Sequence, residues 1–195
     1  MFDARAAARP GLRIEIGSKL KTLLGVGSEI GSIADRCLGE KARPVRAVIF
    51  NKTPGTNWAL GWHQDRTIAV AERHDQPGFG PWTVKNGTPH VEPPFTVMES
   101  MMTLRVHIDA VDDENAPLVI ALGSHKTGRI AVSQIDDVVG RCALHSCHAE
   151  PGSIWAYSTP ILHRSDLASG DRQRRVLQID YSTVELPEPL RWAAD

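Results

Sequence analysis

The sequence predicts a mainly β fold, a sandwich or jelly roll with N-terminal helices packed on one sheet. Three observations carry that expectation. Helical periodicity is confined to one stretch, residues 18 to about 39. Alternation of apolar and polar residues recurs from 45 to about 183, most clearly over Val97 to Ala110 and Arg174 to Ser182. Clusters of glycine, proline and asparagine separate these runs.

The elements follow in order. Leu20, Leu23, Leu24 and Val26, then Ile30, Ile33, Ala34 and Leu38, recur at steps of three and four. Ser18 and Ser28 are placed to cap the two helices, and Gly25, Gly27 and Gly39 to break them. Val45 to Phe50 is a short apolar run after Pro44, suited to a strand. In the long run Val97 to Ala110, Met102, Leu104, Val106 and Ile108 share one face, and Thr103, Arg105, His107 and Asp109 the other. The apolar face is expected to meet the helices, and the face with Thr103 and Arg105 to line the interior between the sheets. Further strands are expected at Pro117 to Ala121, Arg141 to His148, Ser153 to Ala156 and Arg174 to Ser182. Residues 74 to 94 (HDQPGFGPWTVKNGTPHVEPP) show no clear period and read as a lid loop. No internal repeat or linker divides the chain, so a single domain over 1–195 is expected, with a jelly-roll core at about 45–183.

Composition bounds the function. Hydrophobic residues at 42% and charged residues at 23% are ordinary for a globular chain of 195 residues. Lys and Arg number 22 against 23 Asp and Glu, a formal charge of −1, which gives no electrostatic reason to expect nucleic acid or an anionic membrane as partner. No apolar run is long enough to span a bilayer, and MFDARAAARPGLRIEIG lacks the apolar stretch of a secretory signal. Cys37, Cys142 and Cys147 are an odd number at no framework spacing. The expectation is a cytoplasmic monomer or small homo-oligomer acting on a small molecule.

The chemistry begins at Gly61-Trp62-His63-Gln64-Asp65. On an extended strand His63 and Asp65 project from one face, where an imidazole and a carboxylate can fill adjacent positions on a divalent metal. A second histidine from elsewhere would complete the facial triad of non-haem Fe(II) oxygenases. His163 ends the short run Thr159-Pro160-Ile161-Leu162, and Arg174 stands eleven residues later. By alternation Arg174, Val176 and Gln178 share one face of the last strand; Arg172 and Arg175 are rivals for the same role. An arginine directed into a pocket near a metal needs an anion, and its planar fork matches a carboxylate.

The strings WHQDRTI, NAPLVIALGSH and PGSIWAY...LHRSD...RQRRVLQIDY resemble the phytanoyl-CoA dioxygenase family, in family order from about Val45 to Ser182. The resemblance implies a double-stranded β-helix (jelly roll, cupin-like) that hydroxylates a substrate with Fe(II), 2-oxoglutarate and O2, releasing succinate and CO2. It assigns His63, Asp65 and His163 to the metal and to catalysis, and Arg174 and Ser165 to the distal carboxylate of 2-oxoglutarate. Asn51 and Thr103 match positions that hydrogen-bond the cosubstrate. Relatives that halogenate lack the carboxylate at the position of Asp65, so hydroxylation is implied. The stretch Asp166 to Gly170 departs from the family pattern and leaves the substrate open.

Other readings stand beside this one. Trp62, Gln64, Trp82 and Trp155 are candidates for shaping a substrate cavity, although aromatics in a small β domain more often pack in the core. Cys142, His145, Cys147 and His148 form a second cluster, but alternation points His145 and Cys147 away from Cys142 and His148, which disfavours a zinc site. His107 and His125 are expected to be structural. The alternative function is a non-catalytic or 2-oxoglutarate-independent metal-binding protein of cupin-like fold.

Overall fold

The computed structural model describes residues 11–39 and 41–195. Strand β1 (Gly11–Ile14) leads through helices α1 (Ser18–Leu24) and α2 (Glu29–Leu38) to β2 (Arg43–Lys52) and β3 (Leu60–His63). An insert follows, with β4 (Ile68–Ala69), β5 (Trp82–Lys85), β6 (Thr88–Val91) and α3 (Phe95–Glu99). The chain continues through β7 (Met101–His107), β8 (Leu118–Ala121), α4 (Ile135–Val139), β9 (Leu144–Cys147), β10 (Ile154–Ser158), β11 (His163–Ser165) and β12 (Arg174–Ser182).

The strand pairs reveal a ribbon folded back on itself. β2 pairs with β12, β3 with β11, β7 with β10 and β8 with β9, all antiparallel. Rolling that ribbon gives one sheet of order β1-β2-β12-β7-β10 and a facing sheet of order β3-β11-β8-β9. This is a jelly roll, the fold class expected from the sequence.

Alternation decides what each face of the larger sheet meets. Ala47, Ile49, Leu104, Leu177, Ile179 and Tyr181 form a buried cluster with Leu24 of α1 and Ala34 of α2. The Tyr181 hydroxyl donates to the Leu24 carbonyl at 2.9 Å, satisfying an otherwise open acceptor at the end of α1. The opposite face presents Thr103, Arg105, Arg174 and Gln178 to the interior. β12 is buried on both faces although polar residues alternate with apolar ones along it, so Arg174, Gln178 and Asp180 are carried into the interior.

The helices break where glycine predicts. Ser28 caps α2 by accepting from the Gly31 amide at 2.9 Å. Ser18, by contrast, is the first residue of α1 and not its cap, which is Gly17. A Cβ placed on Gly31 would lie 2.1 Å from the Gly25 carbonyl oxygen, so α2 crosses the end of α1 at backbone contact distance.

Three boundaries differ from expectation. Residues 95–99 are helical, and the long strand begins only at Met101. The burial of Met98 and Met101, with Phe95 and Val97 packed around them, overrides the β preference of Val97. The segment 74–94 is not a featureless loop: β5 and β6 form a hairpin about Asn86 and Gly87, at φ 53° and 82°. That Asn-Gly turn is a strong hairpin signal, masked in the sequence by Pro81 and Pro89. Residues 141–143 precede β9 as a turn after α4. The C-terminal segment also packs: Leu186, Leu190 and Trp192 are buried against Ile68, Val70 and Val91. No helix among the described residues is long and apolar enough to cross a membrane.

Gly31→Ala should destabilise the protein by about 1–3 kcal/mol, the range for overpacking a close contact. The urea unfolding midpoint measures it.

Candidate metal centre

His63 ends β3 and His163 begins β11, and the two are direct cross-strand partners. Their rings lie 4.2 Å apart, centroid to centroid. Asp65 follows two residues after His63. The donor atoms of His63, Asp65 and His163 all lie within 4.8 Å of one another, close enough to share one ion. Each imidazole is fixed by the carbonyl two residues before it, His63 Nδ1 by Gly61 at 2.8 Å and His163 Nδ1 by Ile161 at 2.9 Å. An Nδ1–H donated to a carbonyl leaves the Nε2 lone pair for a ligand, the tautomer that metal-binding histidines use.

Protonation states suit the same purpose. Burial, against the pull of Asp65, lowers the His163 pKa to about 4, so it is neutral at pH 7. Burial opposes ionisation of Asp65, but Arg46, His163 and His63 outweigh it and hold the carboxyl at about 2. Arg46 is the organiser here. Its Nη2 reaches Asp65 at 3.3 Å, and its Nε donates to the buried Asp180. Asp180 also accepts from Thr103 Oγ1 at 2.9 Å, and Thr103 meets Thr159 at 3.1 Å. Burial raises the Asp180 pKa, and Arg46 works against that rise.

The centre opens into a cavity of about 310 Å³. A bulge in β3 places both Leu60 and His63 against β11, opposite Ser165 and His163, so all four line this space. Arg174 projects into it from β12 and Arg105 from β7. One Arg174 Nη donates to the Ala116 carbonyl, which also accepts from Ser165 Oγ at 3.2 Å. Arg105 donates to Gln178 Oε1 at 2.9 Å, with its guanidinium 5.2 Å from the centroid of the Phe50 ring. The Nε atoms of both arginines are buried without a partner among the described residues. Burial and the nearby Arg105 lower the Arg174 pKa to about 9. Beside them, Lys52 donates to the carbonyls of Trp58 and Asp166 at 2.8 and 2.6 Å. None of these three cations is ion-paired to a carboxylate among the described residues, so the wall is electrostatically set for an incoming anion.

The rival arginines are spent elsewhere. Arg172 pairs with Asp112 at 2.5 Å, and Arg175 forms a forked pair with Asp109 at 2.9 and 2.7 Å.

Several sequence candidates lie away from the cavity. Asn51 is on the face of β2 opposite Phe50 and Lys52, where it accepts from Gln173 at 2.8 Å; strand parity excludes the contact expected of it. Thr103 faces inward but is spent on Asp180 and Thr159. Gln64 is used up by the backbone, donating to Gly128 and Pro160 and accepting from Ile130. Trp62 packs outside the smaller sheet against Ala121, Ile130 and Leu162, and Trp82 packs with Ile68 and Val91. Trp155 donates to the His148 carbonyl and stacks near His145, 5.2 Å away. The aromatic lining comes instead from Phe50 and Trp58. His145, Cys147 and their neighbours do not converge, and His148 pairs with Asp113 at 2.7 Å. His107 hydrogen-bonds the Ser153 carbonyl at 3.3 Å, a structural role as expected. Arg46, Arg13 and Lys85 were not singled out from sequence, and Arg105 was expected on the interior face without a role. Arg105 shares the strand parity that pointed to Thr103, and this was the signal available for it.

No protein-family model and no curated protein matches the chain. Solved structures match its fold. EctD from S. alaskensis with bound Fe has a TM-score of 0.65 at 15% identity, over 98% of this chain and 68% of its own. HygX from Streptomyces hygroscopicus, with nickel and 2-oxoglutarate bound, has a TM-score of 0.59 at 12% identity, over 92% of this chain and 72% of its own. EvdMO1 has a TM-score of 0.59 at 21% identity, over 84% of this chain. The chain spans only 32% of EvdMO1.

Away from the centre, burial lowers His90 and His107 from 6.5 to about 4. The unfolded chain therefore takes up more protons than the native state between pH 6.5 and 4. The contribution of these two histidines to stability is level above pH 6.5 and is lost as the pH drops through that window. Urea midpoints measured from pH 7.5 to 4.5 should show this slope, and His107→Gln should flatten it by up to one proton.

Proposed function

We propose that this protein is an Fe(II)- and 2-oxoglutarate-dependent oxygenase of the phytanoyl-CoA dioxygenase type, hydroxylating a small-molecule substrate. One observation supports the reading above others. Two imidazoles and an ionised carboxylate converge at the wall of a cavity whose other wall holds Arg105 and Arg174 with no acidic partner among the described residues.

The residues present fit the implied groups. Two nitrogens and one carboxylate oxygen are the donor set of an oxygenase iron site, and three protein ligands leave coordination positions for other molecules. His63, Asp65 and His163 would hold the metal, with Gly61, Ile161 and Arg46 fixing their orientation. Arg174 would take the far carboxylate of 2-oxoglutarate through its unpartnered Nε, with Arg105 adding a second charge and Ser165 standing beside it. When bound, iron and 2-oxoglutarate together supply O2 activation, with the keto acid leaving as succinate and CO2. The chain's own contribution is to orient these ligands and keep bulk water from the reacting atoms. Asp65 occupies the position that halogenating relatives leave empty, which favours hydroxylation.

Anaerobic addition of Fe(II) and 2-oxoglutarate should give the weak visible charge-transfer band of the chelate in wild type. His63→Ala, Asp65→Ala and His163→Ala should each abolish it. Arg174→Ala should weaken 2-oxoglutarate binding by roughly tenfold or more, as loss of a charge-assisted bond implies. A wild-type protein without the band, or a band undiminished in His63→Ala, overturns the proposal. Succinate release across a small-molecule library, with His163→Ala as control, then finds the substrate.

A further inference from the structure

The oxygenase reading leaves part of the cavity's charge unexplained. Among the described residues, six cations line the space (Arg13, Arg46, Lys85, Arg105, Arg164 and Arg174) against one carboxylate, Asp65. Arg46 is held by Asp180 and Asp65, and Arg164 pairs with Asp166. Arg105 and Arg174 form the keto-acid wall. Arg13 and Lys85 remain.

These two come from separate elements. Arg13 lies on β1 in register with Val48 of β2, so it shares the chamber face with Val48 while Leu12 and Ile14 turn to the helices. Its Nε is buried without a partner among the described residues. Lys85 ends β5, at the turn of the hairpin, and among the described residues it donates to Thr67 Oγ1 at 3.3 Å. Neither is ion-paired to a carboxylate among the described residues, because Asp65 and Asp180 are both engaged by Arg46. Burial first, then neighbouring positive charge, lowers the pKa of both groups. A bound anion would relieve that field.

Position separates this pair from the keto-acid wall. Arg13 stands level with Val48, whereas Arg174 stands level with Lys52, four residues further along β2. At the rise of an extended strand that is about 13 Å between backbone positions, so the two arginines enter the chamber at different levels.

We propose that Arg13 and Lys85 form a second anion subsite, and that the substrate carries an oxyanion (a carboxylate, or a sulfate or phosphate ester) seated there. The substrate assignment rests on the oxygenase reading; the anion subsite itself does not. The test is calorimetric titration of the whole, metal-free chain with sodium sulfate and sodium phosphate at constant ionic strength. Wild type is compared with Arg13→Gln, Lys85→Gln and Arg174→Gln, each checked for an intact thermal transition. Arg13→Gln and Lys85→Gln should each weaken the same binding event by about tenfold or more, and Arg174→Gln should leave it within about threefold. Affinity unchanged by both substitutions, or abolished by Arg174→Gln alone, overturns the proposal. Since no metal or turnover is involved, the result stands apart from the charge-transfer measurement. In the library screen, acids should support succinate release and their amides should not; the reverse ranking overturns the substrate assignment.

Discussion

The register that sets His163 opposite His63 is the constraint on which the site depends. A slip of one residue between β3 and β11 would turn either imidazole to the far side of the smaller sheet. The ribbon topology prevents that slip from several directions. β11 is held between β3 and β8, and the bulge in β3 is matched by Leu60 meeting Ser165. The same ribbon continues into β12, which carries Arg174 to its place beside Lys52. Donors and arginine therefore share a single mechanical origin, although they lie far apart in the chain.

Around this register the interior is unusually charged for a domain core. Asp180 is 1% exposed, and Arg105 and Arg174 are 5% and 2% exposed. Buried charges cost several kcal/mol each unless they find partners. Arg46 meets that need for Asp65 and Asp180 together, drawing Thr103 and Thr159 into one polar chain. On the opposite wall nothing within the described residues plays that part for Arg174 and Arg105 beyond a carbonyl and an amide oxygen. A folded state that leaves cations short of counter-charge gives up stability for binding.

Much of this was legible in the sequence, and unevenly so. Strand β12 was read from Arg174 to Ser182, as it stands, because apolar and polar residues alternate along it. The convergence of His63, Asp65 and His163 was legible from motif chemistry. What could not be read was the opposing environment of each side chain. Trp62, Gln64, Trp82 and Trp155 sit next to or near informative motifs, yet Trp62 and Trp82 pack in outer clusters, Gln64 is held by backbone groups and Trp155 packs in the core between the sheets. Arg46 and Arg13 gain meaning from strands distant in sequence. The helix over Phe95 to Glu99 shows the same limit at the level of secondary structure, since burial against Ile68 and Val91 decided it.

The two-faced burial of β12 has a consequence for how the polypeptide acquires its shape. Its partners on β2 lie more than a hundred positions upstream; Arg46 and Asp180, for instance, are 134 apart. Closing so large a loop is entropically slow, and a fold dominated by such distant pairings assembles late and cooperatively. Until that strand docks, the helices rest on β2 and β7 alone and the chamber lacks Arg174 and Gln178. A nascent chain lacking it would expose Ala47, Ile49 and Leu104 together, a sticky surface calling for protection during synthesis.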